Sequence, residues 1–174
     1  MKKTNLILAI LIAVLAVVSI LIYIFSHRDP QRTLRDFAVE DTASITRIFL
    51  ANKSGSSVTL DRAEDHWTVN GIYTARRDFV NNLLTTIKKI EVSSPVSSAK
   101  LERVMKDLAV QGIKVQIYQN GEIAKTYYVG GVTEDNNGAY MILENSDTPF
   151  ILSRPGFTGY LTVHYLPELS EWRE

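Results

Sequence analysis

The chain opens with an apolar run, Leu6 to Phe25, whose 20 residues include no charge. At 1.5 Å of rise per residue this run makes a helix of about 30 Å, the thickness of the hydrocarbon core of a bilayer. We therefore predict a cytoplasmic N-tail over residues 1–5 and an uncleaved transmembrane signal-anchor helix over residues 6–25. A cleaved signal peptide is the alternative, but its apolar region normally spans about 7 to 15 residues and ends in small residues. Tyr23, Ile24 and Phe25 occupy that place here.

Basic residues flank the apolar run on both sides. Lys2 and Lys3 precede it, and Arg28, Arg32 and Arg35 follow it, so the positive charges alone nearly balance. Because long domains translocate largely regardless of charge, we predict the N-terminus in the cytoplasm and the domain outside. Residues 26–35, with a proline and several charges, predict a short tether that keeps the domain near the bilayer.

After the tether the hydrophobic pattern changes to a period of two, which is typical of strands. Residues 45–50 and 58–62 form two β-like runs around the turn-forming segment Asn52 to Ser57. A third run, His66 to Tyr73, places Trp67 and Val69 on one strand face and contains Asn70-Gly71, a pair that favours a tight turn. These segments predict a three-stranded meander.

The next segments change to the helical period. A first amphipathic stripe predicts a helix, and a second helix follows the breaker Ser93-Ser94-Pro95, with Ser97 or Ser98 as its cap and Gly112 as its stop. The first stripe consists of Phe79, Val80, Leu83, Leu84, Ile87 and Ile90, and the second of Leu101, Val104, Met105 and Leu108.

Strand patterns return in the last third of the chain. Residues 113–118 alternate, Asn120-Gly121 predicts a hairpin into residues 122–129, and short apolar runs follow at 140–143 and 150–152. Gly130-Gly131 and Asn136-Asn137-Gly138 are interpreted as turns between these runs. We predict an α+β domain over residues 36–166, a mainly antiparallel β-sheet with a helical pair between two β-meanders, and a C-terminal tail over residues 167–174.

Composition narrows the possible functions. The 19 Lys and Arg residues balance 19 Asp and Glu residues, which argues against a nucleic-acid partner. The chain has no cysteine, which excludes disulfides, thiol catalysis and cysteine-ligated metal sites.

Motifs that would carry chemistry are missing from the sequence. The three histidines, His27, His66 and His164, lack the spacing of a helical metal site. The segment 133–138 fails the spacing of a calcium loop, and the nucleophile motif Gly-x-Ser-x-Gly does not occur. We therefore predict no catalytic residue, no metal, no cofactor and no enzymatic activity.

A characteristic spacing of glycine and aromatic residues extends over most of residues 36 to 166, in residues 67–73, Leu83-Leu84, residues 127–141, Pro149-Phe150 and residues 155–161. In this spacing the chain resembles domain of unknown function family 4340, found in envelope proteins of Bacteroidota-like bacteria. The resemblance implies a single-span, membrane-tethered domain outside the cytoplasm, and related domains are associated with ABC-type export and gliding-type accessory systems. It implies no reaction.

Aromatic residues concentrate in the second half of the domain. Tyr serves both for strand packing and for protein contacts, and both interpretations stay open for any single residue. Glycine-rich turns at a sheet edge favour an exposed functional loop. We therefore predict a partner surface formed by Tyr127, Tyr128, Thr133, Asp135, Asn137, Tyr140, Phe157 and Tyr160.

These observations predict a non-enzymatic, single-pass protein of the bacterial inner (cytoplasmic) membrane with its domain in the periplasm. Its partners would be the lipid bilayer, through residues 6–25, and a membrane or envelope protein, within an export or motility-type assembly. The alternative is a small-ligand or lipid-binding periplasmic domain, which would need a concave apolar pocket with a few polar groups.

Overall fold

The structure, a computed structural model, describes residues 13–19 and 36–174. The chain divides into two compact units, Met1–Asp36 and Phe37–Glu174. Residues 13–19 are helical and their side chains are exposed. None of the helices within residues 13–19 and 36–174 is both long enough and apolar enough to span a bilayer. The remainder of the predicted anchor over 6–25, and the predicted tether over 26–35, lie outside the described residues.

Within residues 36–174, nine strands form one sheet, and the neighbouring strands pair antiparallel in the order β4-β3-β2-β1-β6-β7-β8-β9-β5. The predicted α+β class is confirmed. The strands are β1 (Ile45–Ala51), β2 (Ser57–Arg62), β3 (Trp67–Val69), β4 (Tyr73–Thr74), β5 (Glu91–Pro95), β6 (Ile113–Gln119), β7 (Glu122–Val132), β8 (Ala139–Leu143) and β9 (Phe150–Ser153). The helices are α1 (Arg77–Lys89), α2 (Ser98–Gln111) and the short α3 (Leu169–Trp172), with 3₁₀ turns at Thr42–Ser44 and Leu161–Tyr165.

Asparagine and glycine form the tight turns of both meanders. Asn70 and Gly71 join β3 to β4 with φ of 52° and 68°, and Asn120 and Gly121 join β6 to β7 with φ of 52° and 86°. Positive φ at both central residues matches the right-handed twist of the flanking strands, and Asn and Gly tolerate it best. Both turns are present as predicted, but the run from His66 to Tyr73, predicted as one strand, is divided by its turn into β3 and β4, so the first meander has four strands and not three.

The segment between the helices differs from the prediction. Ser93-Ser94-Pro95, interpreted as a breaker, belongs to β5, which leaves α1, crosses to the far end of the sheet and pairs with β9. A β-bulge between Val92 and Ser94 and the proline at its end are features that natural sheets use at edge strands. The edge position explains how a strand can hold a sequence that resembles a turn.

One face of the sheet carries the main core. Leu83 and Ile87 of α1 are fully buried in it, together with Ile48 of β1 and Val115 of β6. Phe37 packs edge-on against Tyr127, with ring centroids 5.8 Å apart. The Leu161–Tyr165 turn lies against α1 on the same side.

The opposite face is covered by α2, which lies over β7 and β8. Val104 and Leu108 of α2 pack there against Tyr140 and Ile142 of β8. Leu101, predicted in the buried stripe, is instead 38% exposed. The helix ends at Gly112, as predicted.

Gly130 and Gly131, predicted as a turn, lie inside β7 at a β-bulge. A Cβ atom on Gly130 would stand 2.8 Å from Cδ2 of Leu108, so the missing side chain lets α2 approach the sheet. Gly130 therefore allows the helix to pack on the sheet and does not form a turn of the chain.

The final residues are part of the domain. Trp172, in the segment predicted as a tail, is 1% exposed, and its Nε1–H donates to the carbonyl of Leu166 at 2.7 Å. Its ring meets Phe79 of α1 edge-on at 6.1 Å. The domain core therefore extends at least to Trp172.

Candidate functional site

A polar cleft of about 420 Å³ opens on the α2 face of the sheet, on the flank of the helix that points toward β5. The strand register places Tyr140, Ile151 and Ser94 side by side across β8, β9 and β5. Tyr140 and Ile151 also contact the α2 cluster, so they form an apolar floor continuous with the core. The loop from Thr133 to Gly138 forms one wall, and Lys100 of α2 lies opposite.

The loop is held in shape by Thr133. Its hydroxyl donates to Asp135 Oδ1 at 2.6 Å and accepts from the N–H of Gly138 at 3.0 Å. The backbone N–H of Thr133 donates to the carbonyl of Gly138 at 2.9 Å, which closes the loop. Asn136 lies within it at φ 57°, a conformation that asparagine tolerates. These bonds give the cleft a fixed wall.

Side chains of opposite charge lie close together at the rim of the cleft. Glu134 Oε1 lies 3.0 Å from Lys100 Nζ and 3.6 Å from a guanidinium nitrogen of Arg103. The hydrogen bond from Lys100 lowers the pKa of Glu134, and the hydrogen bond from Thr133 lowers the pKa of Asp135. Both cations therefore face the carboxylate of Glu134, whereas Asp135 is held by Thr133 and Asn137, and these four charged groups sum to no net charge.

Hydroxyl groups line the β5 side of the cleft. Ser93 Oγ and Ser153 Oγ are 2.8 Å apart, and Ser94 lies beside them. Each hydroxyl donates one hydrogen bond and accepts up to two, so this pair keeps capacity for a further partner. The cleft thus combines an apolar floor, neutral hydrogen-bonding groups and a charged rim.

The structure brings part of the predicted partner surface together. Asp135 and Asn137 are exposed at the rim of the cleft, whereas Thr133, 6% exposed, acts as the internal brace of the loop. Tyr140, 7% exposed, contributes to the floor. Tyr128 also lies on this face, on the other flank of α2.

Tyr127 cannot contribute to a surface, and its assignment is corrected. Its side chain is fully buried on the opposite face of the sheet, and its hydroxyl donates to Tyr165 at 3.4 Å. Burial raises the pKa of Tyr127 well above its usual value. Because neighbouring strand residues point to opposite faces, Tyr127 and Tyr128 cannot share a surface.

The last two predicted residues lie elsewhere. Phe157 packs between the guanidinium of Arg154, 4.0 Å away, and the ring of His164, 5.1 Å away. Tyr160 is 51% exposed and precedes the Leu161–Tyr165 turn, which packs against α1. These two residues form a separate patch from the cleft.

Another cleft, of about 510 Å³, lies beside β3 and α1. His66 Nδ1 is 2.6 Å from Asp65 Oδ1 at its edge, and the hydrogen bond from His66 lowers the pKa of Asp65. Within residues 13–19 and 36–174, no group of three His, Asp or Glu side chains is arranged to hold a metal ion. The absence of metal and of catalysis from this protein stays a prediction.

Sequence reasoning missed Ser93, Ser153 and Lys100 as members of the cleft. The two serines meet only because β5 pairs with β9, a contact between residues 60 positions apart. The apolar residues of α2 indicated which side of the helix is buried, but they did not indicate which strand lies next to Lys100. In the sequence itself, only the segment around the Asn- and Gly-rich loop indicated the position of the cleft.

Comparison of the chain with family models, with curated proteins and with solved structures finds no significant match. The resemblance to domain of unknown function family 4340 therefore stays a prediction.

Proposed function

We propose that this protein is a non-enzymatic, single-pass protein of the bacterial inner membrane whose periplasmic domain binds a membrane or envelope protein through the polar cleft. The observation that carries the proposal is that Asp135, Asn137 and Tyr140, which the sequence analysis placed on one predicted partner surface, line the same cleft. The family resemblance adds a role as an accessory module of an export or motility-type assembly.

The chemistry of the cleft suits a polypeptide. Protein interfaces combine an apolar centre with a polar rim, and here Tyr140 and Ile151 form the floor while Lys100 and Glu134 stand at the edge. The hydroxyls of Ser93 and Ser153 offer hydrogen bonds to backbone amides of a partner. The balanced charges favour neither an anionic nor a cationic ligand.

Tethering supports a membrane-bound partner. If residues 6–25 anchor the chain and residues 26–35 connect it to the domain, the cleft stays within a thin layer next to the bilayer. A weak contact with another membrane protein then gains from a high effective concentration.

Site-specific photo-crosslinking in cells tests the proposal. Photoreactive amino acids at the exposed positions Asp135 and Asn137 should capture one defined membrane or envelope protein. Matched probes at the exposed helix positions Lys88 and Lys106 serve as controls, and a probe at Thr158 reports on the Phe157–Tyr160 patch. Equal capture at all five positions would contradict a localised surface.

A further inference from the structure

An apolar groove of about 300 Å³ lies on the flank of α2 opposite the polar cleft. The register places Ala51, Lys114, Tyr128 and Ile142 in one row across β1, β6, β7 and β8. The α2 residues Met105, Leu108 and Ala109 form the helical wall beside this row. Helix and sheet thus meet along a groove with mainly apolar walls, which Glu144, Asn145 and Ser146 also line.

The charges at the rim of the groove are unequal. Glu144 Oε1 is 3.1 Å from Lys114 Nζ and accepts from the Tyr128 hydroxyl at 3.5 Å, so this carboxylate is neutralised. Lys53, in the turn between β1 and β2, also lines the groove, and its ammonium group forms no ion pair within the part of the chain that the structure describes. One cation without a counter-charge therefore stands beside an apolar channel.

We propose that this groove binds a single anionic amphiphile, with its apolar chain along Met105, Ala109 and Ile142 and its carboxylate at Lys53. Apolar walls favour a hydrocarbon chain, and the uncompensated ammonium group of Lys53 favours an anionic head. The volume is at the lower end of the range for ligand sites, about 300 to 1,000 Å³. A groove of this size matches one short chain better than the two chains of a bilayer lipid, so the proposed ligand is a free medium-chain carboxylate.

The site goes beyond the proposed function, because it uses the other flank of α2 and none of the rim residues of the polar cleft. The two proposals can therefore fail separately. A variant that blocks the groove should leave capture through Asn137 intact.

The probe is decanoate that carries a photoreactive diazirine in its chain, added to the full chain in lipid nanodiscs. After irradiation, mass spectrometry should locate the label on α2 and β8. Ala109→Phe places a ring in the groove, and Ala99→Phe makes the same change at an exposed position of the same helix outside it. We expect Ala109→Phe to reduce the α2 and β8 label about tenfold and Ala99→Phe to leave it unchanged.

A second variant tests the charge without altering the groove walls. Lys53→Gln should weaken labelling by decanoate about two- to fivefold, the effect of one exposed charge pair. It should leave labelling by the corresponding neutral alcohol unchanged. Full labelling of Ala109→Phe, equal effects of Lys53→Gln on both probes, or label confined to residues 6–25 would each overturn the proposal.

Discussion

Gly130 sets how closely α2 can approach the sheet. A Cβ atom there would stand 2.8 Å from Cδ2 of Leu108 and 3.2 Å from the carbonyl oxygen of Tyr140. Either the Leu108 side chain would have to move out of its position between helix and sheet, or the helix would have to shift outward, and the packing between α2 and the sheet would change in both cases.

Gly130→Ala should therefore lower the free energy of unfolding by about 1 to 3 kcal/mol, the usual cost of overpacking. Gly131→Ala is the matched control, because a Cβ atom at Gly131 would have no neighbour within 4 Å. Chemical denaturation of both variants measures the difference. Equal midpoints would show that the helix does not rest on Gly130.

A hydrogen-bond chain links Arg154 to His164. Arg154 donates to Thr86 Oγ1 at 3.0 Å, and Thr86 Oγ1 lies 2.9 Å from His164 Nδ1, within hydrogen-bond distance. Burial, and after it the charge of Arg154, lower the pKa of His164 to about 4.

Because the pKa of His164 is lower in the folded state than its ordinary value of 6.5, its contribution to stability is complete above pH 6.5 and is lost as the pH falls toward 4. We expect a loss of about 1 to 2 kcal/mol, reduced from the full shift because the ring is partly exposed. Denaturation at pH 7 and at pH 4 measures it. His164→Gln should remove this component, whereas His66→Gln, in the exposed pair with Asp65, should retain it.

Tyr127 and Tyr128 show that residue type alone does not determine which face of the sheet a side chain occupies. Tyr127 and Tyr128 are identical neighbours, yet one is fully buried in the main core and the other lies under α2. Since α2 packs on one face of β7 and the Leu161–Tyr165 turn packs on the other, the alternation of apolar and polar residues disappears there. The sequence then offers no signal for which tyrosine faces which side.

At the scale of elements, strong local signals predicted structure well. Asn70-Gly71 and Asn120-Gly121 specify their hairpins through backbone conformation alone, and the stripe from Phe79 to Ile90 predicts α1. β5 was missed because its stability depends on pairing with β9, which follows about 60 residues later along the chain. Because β5 forms one side of the polar cleft, the cleft also could not be predicted without knowing that β5 pairs with β9.

The short helix α3 was likewise not predicted as part of the domain. Four residues cannot form a stable helix alone, and the segment after Pro167 was predicted as a tail. Its anchor is tertiary, because Trp172 is buried against Phe79 and the backbone of Arg76 donates to the carbonyl of Trp172 at 2.7 Å.

Trp172→Ala should lower the free energy of unfolding by about 3 to 5 kcal/mol, the usual loss for a buried aromatic residue. Ser170→Ala, at an exposed position of the same short helix, should change it by less than about 0.5 kcal/mol. Thermal or urea unfolding compares the two. A wild-type midpoint for Trp172→Ala would restore the interpretation of residues 167–174 as a tail.

At the scale of the whole molecule, the sequence predicts that the domain is anchored by residues 6–25 and faces the periplasm. We expect the protein to resist carbonate extraction, because an apolar helix of this length is stable in a bilayer. Protease added to spheroplasts should digest the domain while a cytoplasmic marker protein stays intact. A protected domain would reverse the orientation, and a mature chain beginning near Ser26 would show that the run is a cleaved signal.

The central claim is that the polar cleft beside α2 is the binding site for a protein partner. Its most direct test is the affinity of the full chain, in lipid nanodiscs, for the protein captured through Asp135 and Asn137. Asn137→Arg adds bulk and charge at the rim of the cleft, and Asn82→Arg makes the same change at an exposed position of α1. We predict that Asn137→Arg weakens binding at least about tenfold, or about 1.4 kcal/mol, and that Asn82→Arg leaves it unchanged. Equal affinities for the two variants would contradict the account.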